Sequence, residues 1–432
     1  MGSEQWFRAV GSDTPEPPVR HAWGRADRTV SLRSRAYGVP VLRRRGGRRI
    51  VGAVLAGAVL LPLLAGCKVP ISSDPPVAAP TATPPSAEEL LCQEVDARLA
   101  AMSVRQELAS LLMLHYPGTD PAALSDFMSR TGAGGFIVMG DNAPDGSDIA
   151  GTTSALDVDP SLPPIVAVDQ EGGEVSRLDA DSGPAAEQLR ELPADASREA
   201  FAARAEIVHT AGIDLNFGIV ADVTDDPHSF IYDRVLGTTP AASADRVGEA
   251  VLGEQGVVSS TLKHFPGHGL TDADSHLTVP SSAIGLDEWR STAAIPFERG
   301  IEDGAQVVMF GHLALTSVDP APASLSTRWH EILRDELGFD GVTITDDMLM
   351  LQQTELPEYQ DPVQNAVRAL QAGNTMLLYV LAADPAVSGV DVDALLDGLE
   401  AAVQDGRISR AQIDADARLL LAMRIGIRDQ TP

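Results

Sequence analysis

Residues 165–171 read IVAVDQE, four apolar residues running straight into three polar ones. An amphipathic helix needs apolar positions three and four apart, and a strand with one wet face needs strict alternation. This run has neither pattern. A strand covered on both faces has no polar side to show, as in a parallel sheet clad in helices. Comparable short apolar runs occur at 135–139 (GFIVM), 213–220 (IDLNFGIV), 259–265 (SSTLKHF), 307–312 (VVMFGH), 342–347 (VTITDD) and 376–380 (MLLYV). Helical patterns separate these seven runs, so the fold class is α/β, and seven units favour a (β/α)8 TIM barrel over a doubly wound sheet. The eighth strand is expected to be irregular or missing, because the chain after Val380 reads as helices at 392–404 and 413–425. At the other end, Ser86 with Glu89 and Ser103 with Gln106 have capping-box spacing. The second box opens a helix expected to run through Leu108, Leu111 and Leu112.

Polar residues gather at the carboxyl ends of these runs: Asp169-Gln170-Glu171, Lys263-His264, His312 and Asp346-Asp347. In barrels of this class that rim carries the active site. One polar strand end proves nothing, but four point to a shared pocket.

The barrel is expected over residues 88–432, and what precedes it is of another character. Residues 1–66 hold eleven arginines, no lysine and four acids, a charge of +7, so the remainder carries −36 for the chain to total −29. Such an acidic body repels nucleic acid, which is set aside as a partner. Residues 41–66 read as an export signal: Arg43, Arg44, Arg45, Arg48 and Arg49 precede the apolar stretch 51–66 (VGAVLAGAVLLPLLAG), too short for a spanning helix. It ends Leu64-Ala65-Gly66-Cys67, similar to a bacterial lipobox, so Cys67 is the expected lipidation site. An uncleaved signal anchor with an incidental cysteine is the competing account. Residues 1–40 form an Arg-rich extension without periodicity, and translation is expected to begin nearer Val39 or Val41; precursor peptides from residues 1–35 would refute this. From Cys67 to Ala87 six prolines favour an extended tether reaching about 55 Å at about 3.1 Å per residue. The expected location is therefore exported, lipid-anchored on the periplasmic or outer face of the membrane. Two cysteines exclude a disulfide scaffold, and Cys92, on a helical face with Val95 and Leu99, reads as core.

The densest chemistry lies in 263–276, KHFPGHGLTDADSH. His264 and His268 have the spacing of a helical metal pair, but Pro266, Gly267 and Gly269 argue against a helix. Asp274 and His276, two apart in an extended loop, would point the same way, the carboxylate orienting the imidazole. A histidine titrating near pH ~6.5 can give and recover a proton at working pH. Taken alone, a surface turn explains DSH better. Asp346 and Asp347 are adjacent, so only one can face the mouth, as a nucleophile towards an anomeric carbon. Locally, a metal site or a cap explains that pair equally well.

Together these segments resemble family-3 glycoside hydrolases, in particular their single-domain bacterial β-N-acetylglucosaminidase branch. The likeness rests on VDQEGGEVSRL (168–178), GIDLNFGIVADV (212–223), KHFPGHGLTDADSH, the pair Gly311-His312 and PASLS (322–326), GFDGVTITDDMLM (338–350) and ALQAGNTMLL (369–378), in family order. It implies a (β/α)8 barrel without metal or cofactor, acting on terminal β-linked N-acetylhexosamine by a retaining mechanism, with peptidoglycan fragments or chito-oligosaccharides as substrates. By position, it makes Asp346 the nucleophile, His276 the acid/base and Asp274 its orienting partner. Asp169, Arg177, Arg234, Lys263 and His264 would hold the sugar. Departures are Arg234-Val235-Leu236 where the family has Arg-Ser-Phe, Asn374 in place of a common Asp, and a long stretch at 179–198. A histidine acid carries no negative charge to repel phosphate, so phosphorolysis is expected to compete with hydrolysis; absence of sugar 1-phosphate on adding phosphate would refute it. The competing classes are a non-catalytic sugar-binding lipoprotein, a β-glucosidase variant of the same family, and a metal-dependent hydrolase using His264, His268, His276 and Asp274. A monomer is expected.

Overall fold

A computed structural model describes residues 85–271, 273–354 and 356–430. The expected extension (1–40), export signal (41–66), Cys67 and nearly all of the tether lie outside the described residues. Eight parallel strands form a nearly closed barrel: β1 (Leu112–Leu114), β2 (Gly135–Val138), β3 (Ile165–Val168), β4 (Leu215–Val220), β5 (Ser259–Phe265), β6 (Val307–Phe310), β7 (Val342–Thr345) and β8 (Leu377–Tyr379). From β1 to β7 each strand pairs with the next, and β8 returns to pair with β1 (Leu112 beside Leu377). The β7–β8 seam is not laddered. It carries an isolated bridge, Ile344 to Met376, and separate hydrogen bonds, among them the Thr345 N–H to the Met376 carbonyl (3.2 Å) and the Val380 N–H to the Asp347 carboxylate (3.0 Å).

The eighth strand is present, and it comes first rather than last. The expected helix through Leu112 stops at Ser110, and Leu112–Leu114 pairs on both sides as β1. A three-residue apolar segment carries no period, so only its pairing partners decide its state. Both capping boxes form as expected, with the Ser86 and Ser103 hydroxyls accepting from the N–H of Glu89 and Gln106. The helix Ala87–Ala101 packs Val95 against Leu421 and Ile425 of the helix Arg410–Gln430. Cys92 is half-buried at the edge of that contact rather than in the core. No helix among the described residues is long and apolar enough to cross a membrane.

Every residue of β3 is buried, as are those of β2, β6 and β7, which explains their continuous apolar runs. Outside β5 an aromatic cluster forms around Phe265: Trp289, Phe297, Phe310 and Trp329 meet its ring edge-on with centroids 5.0–5.8 Å away. The Trp289 indole N–H donates to the Pro266 carbonyl at 2.7 Å, anchoring the segment that leaves β5 towards the rim.

Three acids at structural positions are pushed up by burial: Asp214 to about 6, Glu254 to about 7 and Asp416 to about 7. A raised acid stabilises the fold while protonated, so its contribution is complete below the unfolded value near 4 and is lost as pH rises through 6–7. We expect the melting temperature to fall between pH 5 and pH 8. Glu254→Gln should flatten that slope and stabilise the protein at pH 8 by about 1–3 kcal/mol, at about 1.4 kcal/mol per pK unit. A melting curve of the variant parallel to wild type across this range would contradict the assignment.

Candidate active site

The site is assembled from loops at the carboxyl ends of five strands. Asp169 and Glu171 follow β3, Asp222 follows β4, Lys263 and His264 end β5, His312 follows β6 and Asp346 follows β7. Burying a lysine requires compensating charge. Lys263, only 2% exposed, places Nζ 2.8 Å from Asp169 Oδ1 and 2.6 Å from Glu171 Oε1. Arg234, in the turn Tyr232–Arg234 after β4, donates to both oxygens of Glu171, at 2.9 and 2.6 Å. Burial works to raise Glu171, but the Arg234 and Lys263 charges hold it down at about 2. Lys263 is itself kept charged against burial by Asp169 and Glu171. The result is a fixed lattice of two cations and two anions in which Asp169 is the most accessible member, with its side chain 20% exposed.

His264 is oriented from below. Its Nδ1–H donates to Asp222 at 2.8 Å, and the fully buried Asp222 also accepts from the main-chain N–H of His264 and of His268. Burial and then the His264 charge push His268 down to about 4; its ring lies edge-on to Phe230 and His264. The two histidines four residues apart are therefore a packed pair of rings at the end of β5. His312 is buried, accepting at Nδ1 from the Ser324 hydroxyl (2.7 Å) and donating from Nε2 to the Asp347 carbonyl (3.0 Å). This links the two sequence pieces Gly311-His312 and PASLS and fixes the backbone beside Asp346.

The two adjacent aspartates divide the roles that sequence left open. Asp347 is the cap: its Oδ1 accepts from the N–H of Leu349 and, across the seam, of Val380. Burial raises it to about 6. Asp346 is half-buried. Burial works to raise it, yet the charges of His264, His312 and His276 and the Asp347 N–H lower it to about 2. Two neighbours with the same side chain are thus driven in opposite directions.

His276 lies in the loop after β5 with its side chain 60% exposed. Of the two geometries weighed for 274–276, the turn is the one formed, with the Leu277 N–H donating to the Asp274 carbonyl at 3.1 Å. The Asp274 carboxylate reaches back to the His276 N–H (2.9 Å) and to Nδ1 (2.6 Å), so the turn itself builds the dyad. Burial works to raise Asp274, but the bonds to His276 pull it below the ordinary carboxylate value. With Nδ1 engaged, Nε2 is the nitrogen left to meet a substrate. The His276 charge acts to lower both Asp346 and Asp347.

The profile of the glycosyl hydrolase family 3 N terminal domain matches residues 103–423. The chain belongs to glycosyl hydrolase family 3. It is similar to a β-hexosaminidase of Stenotrophomonas maltophilia strain R551-3, 32% identical over 252 residues that cover 56% of this chain and 75% of that one. A β-hexosaminidase of Pseudomonas aeruginosa strain UCBPP-PA14 is 34% identical over 225 residues, 50% of this chain and 67% of that one. Among solved structures, M tuberculosis LpqI superposes with a TM-score of 0.68 and 29% identity, over 76% of this chain and 95% of that one. A family-3 β-N-acetylglucosaminidase from Paenibacillus sp. str. FPU-7 gives 0.68 and 29%, over 76% of this chain and 63% of that one.

For this family-3 hydrolase, then, the fold and the glycosidase activity read from sequence both hold. Of the expected site residues, Asp346, His264, His276 and Asp274 come together electrostatically, and Asp169, Lys263 and Arg234 form the adjoining charged lattice. Arg177 is joined to them only through its main chain, whose N–H donates to the Gln170 side chain; its Nε is buried without a partner. Glu171 and His312 were read from sequence only as polar strand ends with no role of their own, and Asp222 was not singled out. Each stands within three residues of a strand's carboxyl end, and for Asp222 that position was the available signal.

Proposed function

We propose that the hydrolase is a retaining exo-β-N-acetylglucosaminidase acting on cell-wall fragments or chito-oligosaccharides. What supports this reading is an Asp346 carboxylate kept ionised by the charges of His264, His312 and His276, together with a His276 held by Asp274. In the first step Asp346 attacks the anomeric carbon while His276 Nε2 protonates the departing glycosidic oxygen, giving a glycosyl ester. In the second, neutral His276 takes a proton from water, which displaces the carboxylate and restores the β configuration. The fixed cations Lys263 and Arg234 donate, and Asp169 accepts, which suits a ring bearing hydroxyls and an acetamido group. Similarity to proteins named β-hexosaminidase and β-N-acetylglucosaminidase supports the choice of sugar.

On nitrophenyl glycosides, kcat/KM for the β-N-acetylglucosaminide should exceed that for the β-glucoside by at least about tenfold, roughly 1.4 kcal/mol of discrimination. Equal rates, or a preference for the glucoside, would sink the assignment. The same proposal holds the barrel as an exported monomer tethered through acylated Cys67; Cys67→Ser should then release it from the membrane fraction.

A further inference from the structure

Gln170 is fully buried between the two acids that face Lys263, and all its hydrogen-bonding capacity is used. Its main chain is clamped to Asn216 of β4 by N–H to Oδ1 and by Nδ2 to carbonyl, each at 3.1 Å. Its side-chain oxygen accepts from the N–H of Arg177 (2.9 Å) and of Leu178 (3.1 Å), folding the loop after β3 back on itself. Its amide donates to the Ser176 hydroxyl (2.6 Å) and to Asp181 Oδ2 (2.9 Å). That same Asp181 oxygen accepts from Arg204 Nε at 2.6 Å, both side chains being almost wholly buried. Arg204, from the helix Asp195–Thr210, also covers the Phe201 ring and donates to the Pro184 carbonyl at 3.3 Å. Gly172 adopts φ +88°, and a Cβ there would fall 2.2 Å from Arg204 Nη2, so the loop is pressed against the guanidinium.

We propose that Asp181 is a positioning residue for the sugar site, acting through Gln170, with Arg204 as the counter-charge that lets its carboxylate be buried. A buried ion pair adds little net stability, because desolvation offsets its attraction. What this pair does supply is a rigid acceptor of fixed direction for the Gln170 amide. Gln170 in turn sets where Asp169, Glu171 and Arg177 stand relative to Lys263 and Arg234. Asp181 lies in the long stretch 179–198, so this chain uses that stretch to brace its sugar-binding loop from outside the barrel. The inference rests on the proposed N-acetylglucosaminidase reading for its assay but on the bonding pattern for its substance.

Two double variants separate bracing from mere core filling. Asp181→Leu with Arg204→Met removes both charges and the acceptor for Gln170. Asp181→Asn with Arg204→Met removes both charges and keeps an acceptor. With nitrophenyl β-N-acetylglucosaminide, the first should raise KM at least about tenfold with kcat within about threefold, since Asp346 and His276 stand on other loops. The second should stay within about threefold of wild type in both constants. Amide exchange over 170–178 should quicken in the first variant only. Equal KM values in the two variants, or a wild-type KM in the first, overturn the proposal. Failure of both to fold also overturns it, by assigning the pair to the core. If wild type proves inactive on this sugar, the functional reading fails instead, and weakened N-acetylglucosamine binding by calorimetry still decides between the variants.

Discussion

Asp346→Asn is expected to lower kcat/KM by about 10⁴-fold or more, a loss of about 5–6 kcal/mol of transition-state stabilisation. The substitution keeps the shape of the side chain and the acceptor that receives the Asp347 N–H at 2.8 Å. Removed are the negative charge and the nucleophilic oxygen. With a pKa of about 2, the native carboxylate is ionised throughout the working range, so no proton need leave before attack. Because Asp347 and His312 hold the backbone through separate bonds, the melting temperature should change by only a few degrees. Mass spectrometry provides a second measure: a fluorinated sugar that traps the glycosyl-enzyme should label the peptide containing Asp346 in wild type and leave the variant unlabelled. Retention of a tenth of the activity, or a label on another residue, would remove Asp346 from the reaction.

His276→Ala is expected to cost about 10²–10⁴-fold, the span of general acid–base catalysis, and the loss should depend on the leaving group. An aglycone that is itself a sugar must be protonated to depart, whereas nitrophenolate departs without help. The first step should therefore suffer most on chito-oligosaccharides and least on the nitrophenyl glycoside. Azide, which needs no base to attack, should then restore turnover on the nitrophenyl substrate and release a β-glycosyl azide. Asp274→Asn leaves the imidazole in place but weakens its orientation, so a loss no larger than that of His276→Ala is expected there. The side chain of His276 is exposed and, among the described residues, bonds only to Asp274, so neither change should disturb folding. A loss independent of leaving group, without azide rescue, would mean that His276 binds substrate and moves no proton.

How far these roles could be read from sequence differs from residue to residue. The strand IVAVDQE declared both its burial and its polar rim, because a doubly covered strand must be apolar along its whole length. The Asp274-Ser275-His276 motif was legible as a turn, but that the turn also builds the dyad was not. Leu112–Leu114 was missed as a strand, since a segment that short takes its state from β2 and β8, which lie far away in sequence.

The chain order of residues therefore determined the barrel class and the set of groups delivered to its rim, because apolar periodicity and strand ends are properties of neighbouring residues. It also supplied the motif on which the proposed histidine acid rests, and the resemblance pointed to Asp346 as the reactive anion. Tertiary structure alone made its neighbour Asp347 the cap across the β7–β8 seam. It alone turned Glu171 into the hub between Lys263 and Arg234 and set Asp222 beneath His264. The reason is electrostatic: a buried carboxylate's charge state is set by burial and by the cations and N–H donors packed around it, and those arrive from other strands.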